Sequence, residues 1–255
     1  MPCAPDAELR AAAALVFVED LAFPELDAGD GHHLGEVLRL KPGEPVGAAD
    51  GTGSWRICAF TGQFARRRRG PARTQAPAAF GLEAIGPVHR AEPLSPLVEI
   101  AFSWAKAERT EWAVAKLVEL GVDVLTPLVA DRTVVRPDRE GTARRTERLR
   151  RIVRESAMQS RRPFLPRIGD NQSVDEIAAR VTRSAVALAE PGGGLLSLKT
   201  PVVLVGPEGG WSPRELSLVD TKVSLGDGVL RVETAALAAG ALLGALRSTA
   251  LAPLR

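Results

Sequence analysis

Residues 202–213 read Val202-Val203-Leu204-Val205-Gly206-Pro207-Glu208-Gly209-Gly210-Trp211-Ser212-Pro213. Four aliphatic residues in a row, without a polar interruption, describe a strand covered on both faces, as in the interior of a parallel sheet. The glycines that follow end the strand and open a turn. Ser212, Pro213 and Glu215 supply an N-cap, a proline at the first helical position and a glutamate at the third, so a helix starts there. In an open parallel sheet such a turn stands at the carboxyl edge, where ligands bind. Its glycines let the backbone approach a ligand closely. A plain strand–helix turn has the same appearance. The pattern is neither a Gly-Lys-Ser/Thr loop nor Gly-x-Gly-x-x-Gly, so phosphate cradling is not indicated.

The segment 223–236 repeats the theme. Val223-Ser224-Leu225 leads into Gly226-Asp227-Gly228-Val229-Leu230-Arg231, and a helix begins near Glu233-Thr234. Arg231 and Glu233 border a very apolar run, an expensive place for charge unless it is paired or used. Alternatively, Glu233 offsets the dipole at the helix N-terminus.

Around these segments, the chain from 97 onward alternates strands and helices. Strands are expected at 97–102, 122–126, 185–189, 201–205 and 222–225. Helices are expected from about Glu108 to Leu120 with Gly121 as the stop, over 142–161, from the Ser173–Glu176 capping box, from Ser212, and from about Val232 to Ser248. This alternation predicts an α/β domain with a mostly parallel sheet over 94–255. Residues 1–93 read differently. Short apolar runs at 15–18, 55–60 and 80–85 are separated by Gly/Pro/Asp turns and predict a small β-rich domain. A short helix is expected at His32–Leu40 with Leu34, Val37 and Leu38 on one face.

The composition excludes several classes. The 255 residues carry two cysteines and three histidines, too few for a disulfide scaffold or a Cys- or His-rich metal site. No basic n-region precedes the short apolar run 11–16, and no window of membrane-spanning length is free of charge, so a cytoplasmic protein without a membrane segment is expected. The net charge is +2, but it is unevenly spread. Residues 1–93 hold 10 basic and 12 acidic residues, 94–170 hold 15 and 11, and 132–167 alone hold 12 and 4. Such a cluster fits phosphate contact, although an Arg-rich run is also a common solvated helix face.

Taken together, the motifs resemble the 16S rRNA uridine-N3 methyltransferase family, within the SPOUT (α/β-knot) methyltransferases. The matches are His32-His33-Leu34 with Val37-Leu38-Arg39; Lys106; Lys116-Leu117-Val118-Glu119-Leu120-Gly121-Val122; Glu155, Ala157, Gln159-Ser160 and Arg162; Gly206-Pro207-Glu208-Gly209-Gly210; and Leu225-Gly226 with Leu230-Arg231 and Glu233-Thr234-Ala235. Asp227-Gly228 stands where the family usually carries Pro-Arg, Trp211 where Phe is usual, and Val232 where Thr is common. The resemblance implies a PUA-like, RNA-binding β-barrel over 1–93 and a SPOUT domain with a C-terminal trefoil knot over 94–255. It also implies a homodimer, S-adenosyl-L-methionine as methyl donor and a uridine of 16S rRNA in the small ribosomal subunit as substrate, with no metal required.

The cofactor is then expected on Val205, Gly206, Pro207, Glu208, Gly209, Gly210, Leu225, Gly226, Leu230, Arg231, Glu233, Thr234 and Ala235. Arg231 is the first candidate for stabilising negative charge on the uracil as N3 loses its proton, and Glu208 and Glu233 are candidates for proton acceptance or donor orientation. RNA contact is expected from Arg39, Arg132, Arg136, Arg161 and Arg162, with the arginines of 144–154 and the Arg66–Arg69 run as further possibilities. Two other readings stay open: methylation of another RNA site such as a ribose hydroxyl, and a non-catalytic ribosome-binding factor. Blander expectations cover the rest. His32 and His33 cap or pack a helix, Trp104 and Trp112 lie in the core, Cys58 is buried, Gly192–Gly194 is a loop, and the Gly240/Gly244 pair allows close helix packing at a dimer interface.

Overall fold

The computed structural model describes residues 7–64, 79–104, 107–133 and 139–248. Lys106, Arg136 and the Arg66–Arg69 run lie outside the described residues. The chain forms two compact units, one comprising essentially residues 3–93 with 157–165, the other 94–156 with 166–255.

The first unit opens with α1 (Ala7–Ala11) and β1 (Ala14–Phe17), followed by α2 (Ala28–His32), β2 (Pro45–Ala49), β3 (Ser54–Phe64), β4 (Ala79–Ala84) and β5 (His89–Arg90). They make a five-stranded sheet in the order β1-β2-β3-β4, with β5 on β3. β1 and β2 run parallel and the remaining pairs antiparallel. Period-two alternation fills two cores. Val16, Val46, Ala48, Cys58 and Phe60 join Leu34 on one side, while Leu15, Ala49, Trp55 and Ile57 join Leu9 on the other. Burial pushes the Cys58 thiol up to about 11, against the opposing charge of Arg56, so it is an inert core residue. Residues 157–165 complete this unit. Leu165 N–H donates to the Gly51 carbonyl at 2.9 Å, and a Cβ on Gly53 would meet the Phe164 ring at 2.4 Å.

The short helix differs from expectation. It starts early, at Ala28, because the Asp27 carboxylate accepts the Asp30 N–H at 2.7 Å. It then widens into a π turn at His33–Val37, where Leu38 N–H reaches back to the His33 carbonyl. A wider turn breaks the ordinary helical spacing, so Leu34 is buried while Val37 and Leu38 are exposed. His32 and His33 are exposed as well, at the junction of the two turns.

The second unit contains β6 (Glu99–Ser103), α3 (Ala107–Glu119), β7 (Val124–Leu128), α4 (Arg139–Gln159, whose last turn belongs to the first unit), β8 (Arg167–Ile168), α5 (Val174–Arg180), β9 (Val186–Gly194), β10 (Val202–Val205), α6 (Pro213–Leu218), β11 (Thr221–Val223) and α7 (Val232–Arg247). All six strands pair in parallel, in the order β11-β9-β10-β6-β7-β8. β10 lies inside this sheet and is buried throughout, as its uninterrupted apolar run requires. Val202 and Leu204 enter a core with Ile177, Val219 and Trp211. Their neighbours Val203 and Val205 point to the opposite face, where α7 packs on β6 and β10.

Two further expectations are corrected in this unit. Trp112 is 52% exposed, because the buried stripe of α3 runs through Thr110, Ala113, Val114, Leu117 and Val118 and leaves it to one side. Gly192–Gly194 is the end of β9 rather than a loop, and a Cβ on Gly193 would meet the Val223 backbone at 2.6 Å. Gly240 and Gly244 allow the close packing expected of them, and the contacts seen are with the chain's own α3 and the residues after it. A Cβ on Gly240 would stand 2.7 Å from Leu117 Cδ2, and one on Gly244 would stand 2.7 Å from the Leu120 carbonyl oxygen.

Two buried polar anchors hold this unit. The Glu99 carboxylate takes the Thr126 hydroxyl at 2.6 Å and the Arg180 guanidinium, which ties α5 to β6 and β7. Arg247, at the end of α7, donates to the Asp123 carboxylate and to the carbonyls of Pro96 and Gly121. Its side chain is 2% exposed. Arg247→Met keeps the stem but removes every donor from these acceptors, so it is expected to lower stability by about 3 kcal/mol in denaturant unfolding. A loss below about 1 kcal/mol, the range of an exposed pair, would show that the anchor does not hold α7.

Candidate functional site

The carboxyl ends of three adjacent strands, β9, β10 and β11, enclose a pocket of ≈ 380 Å³. That volume lies in the range of small-molecule sites, and its position at a parallel-sheet carboxyl edge is where such sites occur.

The middle wall is the loop after β10. Val205, Gly206, Pro207, Glu208 and Gly210 line the pocket. Gly210 has φ +69 and its N–H donates to the Pro207 carbonyl at 2.8 Å, closing a tight turn that L-residues with a Cβ rarely adopt. Gly206 is required for space, since a Cβ there would meet the Trp211 ring at 2.9 Å. Trp211 is itself buried and donates its indole N–H to the Ala189 carbonyl at 2.9 Å. The capping box expected at Ser212 is present, with Glu215 returning to the Ser212 N–H at 2.8 Å. Glu215 is 1% exposed, and its other oxygen accepts the Asp131 N–H at 2.9 Å.

The second wall comes from β9. Leu188 pairs with Lys222 and the next paired residue on β9 is Gly194, opposite Val223, so 189–193 bulge out of register. The bulge carries Ala189, Glu190 and Pro191 into the lining. The third wall is the segment after β11, with Ser224, Leu225, Gly226, Gly228, Val229, Leu230 and Arg231, followed by Val232 and Ala235 at the start of α7. Arg231 is the N-cap residue of α7, and its exposed side chain makes no cap hydrogen bond. The unsatisfied N–H groups of the first turn of α7 therefore lie beside it and favour negative charge.

Of the residues singled out in the sequence, Val205, Gly206, Pro207, Glu208, Gly210, Leu225, Gly226, Leu230, Arg231 and Ala235 come together here. Gly209, Glu233 and Thr234 do not line the pocket. Glu233 has one oxygen 3.7 Å from the Arg109 guanidinium, across the α3–α7 contact, and a side chain 12% exposed. The pocket also holds residues absent from that selection: Ala189, Glu190, Pro191, Trp211, Ser224, Gly228, Val229 and Val232. The sequence signal for the first three is Pro191 and the triple glycine after an apolar run, a mark of a bulge with close backbone approach.

The arginines assigned by charge divide by partner. Arg39 is exposed and has φ +55. Arg132 Nη1 donates to the Gly209 carbonyl at 2.9 Å. Arg161, also at positive φ, donates to the carbonyls of Ala13 and Met158 at 2.8 and 2.9 Å, and burial lowers its pKa. Arg162 is partly buried. On α4, Arg148 pairs with Glu111, Arg150 with Glu147 and Arg151 with Glu155, while Arg145 stacks on the Trp104 ring at 4.5 Å. Among the described residues no group of three or more His, Cys, Asp or Glu side chains could hold a metal ion, and no helix is long and apolar enough to cross a membrane.

Comparisons with known proteins agree with this layout. A family model described as an RNA methyltransferase domain matches residues 92–244, and one described as an RNA methyltransferase PUA domain matches residues 26–62. The chain is 30% identical over 263 residues to the ribosomal RNA small subunit methyltransferase E of Mycobacterium bovis, an alignment covering 92% of this chain and 93% of that one. It is similar in structure to a protein from Porphyromonas gingivalis described as a probable rRNA-methyltransferase, with TM-score 0.75, 26% identity and coverage of 93% of this chain and 99% of that chain. A protein from Legionella pneumophila described as a putative methyltransferase, solved in complex with the bound cofactor SAM, gives TM-score 0.72 and 25% identity over 91% of this chain and 96% of its own. With its two domain matches in order and a relative aligned over nearly its whole length, the chain belongs to the ribosomal RNA small subunit methyltransferase E family.

Proposed function

We propose that this chain methylates N3 of a uridine in 16S rRNA of the small ribosomal subunit, with S-adenosyl-L-methionine as donor. The observation that carries the reading is the pocket at the ends of β9, β10 and β11, with Arg231 on its rim, in a chain of this family. Residues 1–93 are read as the PUA-like, RNA-binding domain and 94–255 as a trefoil-knotted SPOUT domain. The active form is read as a cytoplasmic homodimer that uses no metal. Trp112, exposed on α3, is an apolar side chain available to a second copy.

The pocket suits the donor because its lining is largely main chain and aliphatic, with Gly206, Gly210, Gly226 and Gly228 exposing backbone groups. The lining residues within 205–210 and 224–235 would hold it, and Glu190 adds a carboxylate suited to hydroxyl groups. When bound, the donor supplies an electrophilic methyl on a sulfonium. The residues of the chain must then align the base and help its imide lose a proton. Arg231, with the N-terminal end of α7, stabilises the negative charge that spreads onto the uracil oxygens as N3 deprotonates. Glu208 lines the pocket and is exposed, which suits proton acceptance. Glu233, facing Arg109 outside the lining, orients the first turn of α7. Arg39, Arg162 and the exposed arginines of α4 contact RNA phosphates.

Two measurements test this reading. Nucleoside mass spectrometry of 16S rRNA from a strain lacking the gene is expected to show the loss of one N3-methyluridine, restored by the purified protein and donor. A changed ribose methylation, or no change, would overturn it. Arg231→Ala is expected to lower the methyl-transfer rate by about 100-fold or more, with donor affinity changed by about twofold at most. Full-rate methylation by this variant would remove Arg231 from the mechanism.

A further inference from the structure

Arg132 lies outside the pocket lining, in the turn that follows β7, yet it reaches the loop that forms the pocket's middle wall. Its Nη1 donates to the Gly209 carbonyl at 2.9 Å. The N–H of the same peptide unit, on Gly210, donates to the Pro207 carbonyl at 2.8 Å. Two successive glycines give a backbone its widest choice of conformation. Here the peptide unit joining them is held through both its C=O and its N–H, while Glu208 and Gly210, on either side of Gly209, line the pocket. A Cβ on Gly209 would stand 3.3 Å from the Arg132 Cβ, so the arginine stem lies directly against the glycine.

The turn that presents Arg132 is itself fixed. Ala130 N–H donates to the Thr133 hydroxyl at 2.9 Å, and Asp131 N–H donates to buried Glu215 at 2.9 Å. The Asp131 carboxylate accepts from Ser212 Oγ at 2.5 Å and from Arg214 at 2.8 Å. Arg214 also grips Asp175 on α5, and the two carboxylates raise its pKa. Arg132 is thus delivered from a bracket built on the first turn of α6, the helix that the glycine loop enters.

We propose that Arg132 is a positioning residue for donor binding: through the Gly209 carbonyl it fixes the Gly206–Gly210 loop in the conformation that forms the pocket wall. This inference rests on the reading of that pocket as the methyl-donor site. It differs from a phosphate-contact role, which charge alone would assign to the same side chain. A positioning role predicts a change in donor affinity and loop protection without RNA. A phosphate role predicts a change in the salt dependence of RNA binding and nothing else.

The test compares the full-length protein with Arg132→Ala and Arg132→Lys. It uses calorimetric titration with S-adenosyl-L-methionine, amide hydrogen exchange at Gly210 without ligand, and the salt dependence of small-subunit binding. Arg132→Ala is expected to weaken donor binding about tenfold, as for loss of a charge-assisted hydrogen bond. Gly210 exchange rises in parallel and the salt slope is unchanged. Arg132→Lys, which keeps one cationic donor, recovers most of both effects. Unchanged donor affinity and unchanged Gly210 exchange in Arg132→Ala would overturn the inference. So would a salt slope reduced by about one with donor affinity intact, which marks a phosphate contact. Failure of the unsubstituted protein to bind donor would instead bring down the reading of the pocket, and the inference with it.

Discussion

The contact between Trp211 and Gly206 sets the geometry on which the site depends. The indole occupies the space where any side chain at 206 would project, and its N–H is committed to the Ala189 carbonyl on the neighbouring strand. One side chain thereby ties the loop after β10 to the bulge of β9, two of the three pocket walls. Trp211 also enters the core formed by Ile177, Leu204 and Val219, so the loop is fixed to the sheet rather than resting on its surface. An aromatic ring brings a large apolar contact and one directed donor, and both are used here.

Polar interactions extend this arrangement to its surroundings. Glu215 is nearly inaccessible, yet both of its oxygens are engaged, one by the Ser212 N–H and one by the Asp131 N–H. A buried carboxylate is tolerated when its acceptors are satisfied in this way. Through it, the helix start that the sequence marks so clearly also positions the turn after β7. Arg247 and Glu99 perform the corresponding service at the amino ends of the strands, where they join α7 and α5 to the sheet. The pocket lies at the opposite, carboxyl edge, where main-chain groups are left for a ligand.

Much of this fold is legible in the sequence because the deciding signals are local. The buried run Val202–Val205, the capping boxes at Ser173 and Ser212, and the apolar helix from Val232 each act within a few residues, and all are present. Two pocket walls are legible for the same reason, as glycine-bearing segments after strands. The wall from β9 is legible only in part: Pro191 and the three glycines after it mark a break in the strand, but the extent of the bulge at Ala189–Gly193 is set by the pairing of β9 with β11. Side-chain partners escape in the same way. Arg132 and Arg161 read as charges facing phosphate, whereas their guanidinium groups meet backbone carbonyls 77 and 148 residues away in the chain. Gly240 and Gly244 show a spacing that permits close approach without naming the partner, which proves to be α3 and the residues after it. The family resemblance, carried by many weak motifs in order, holds over both domain matches.

Donor binding in this pocket depends on the Trp211–Gly206 contact that shapes it. Calorimetric titration of the purified protein and of Gly206→Ala with S-adenosyl-L-methionine tests it most directly, because the added methyl would stand 2.9 Å from a ring that its own hydrogen bond holds in place. The unsubstituted protein is expected to bind about one donor per chain, with an affinity lowered about tenfold or more by Gly206→Ala. Donor binding by the variant at undiminished affinity, or no binding by the unsubstituted protein, would contradict it.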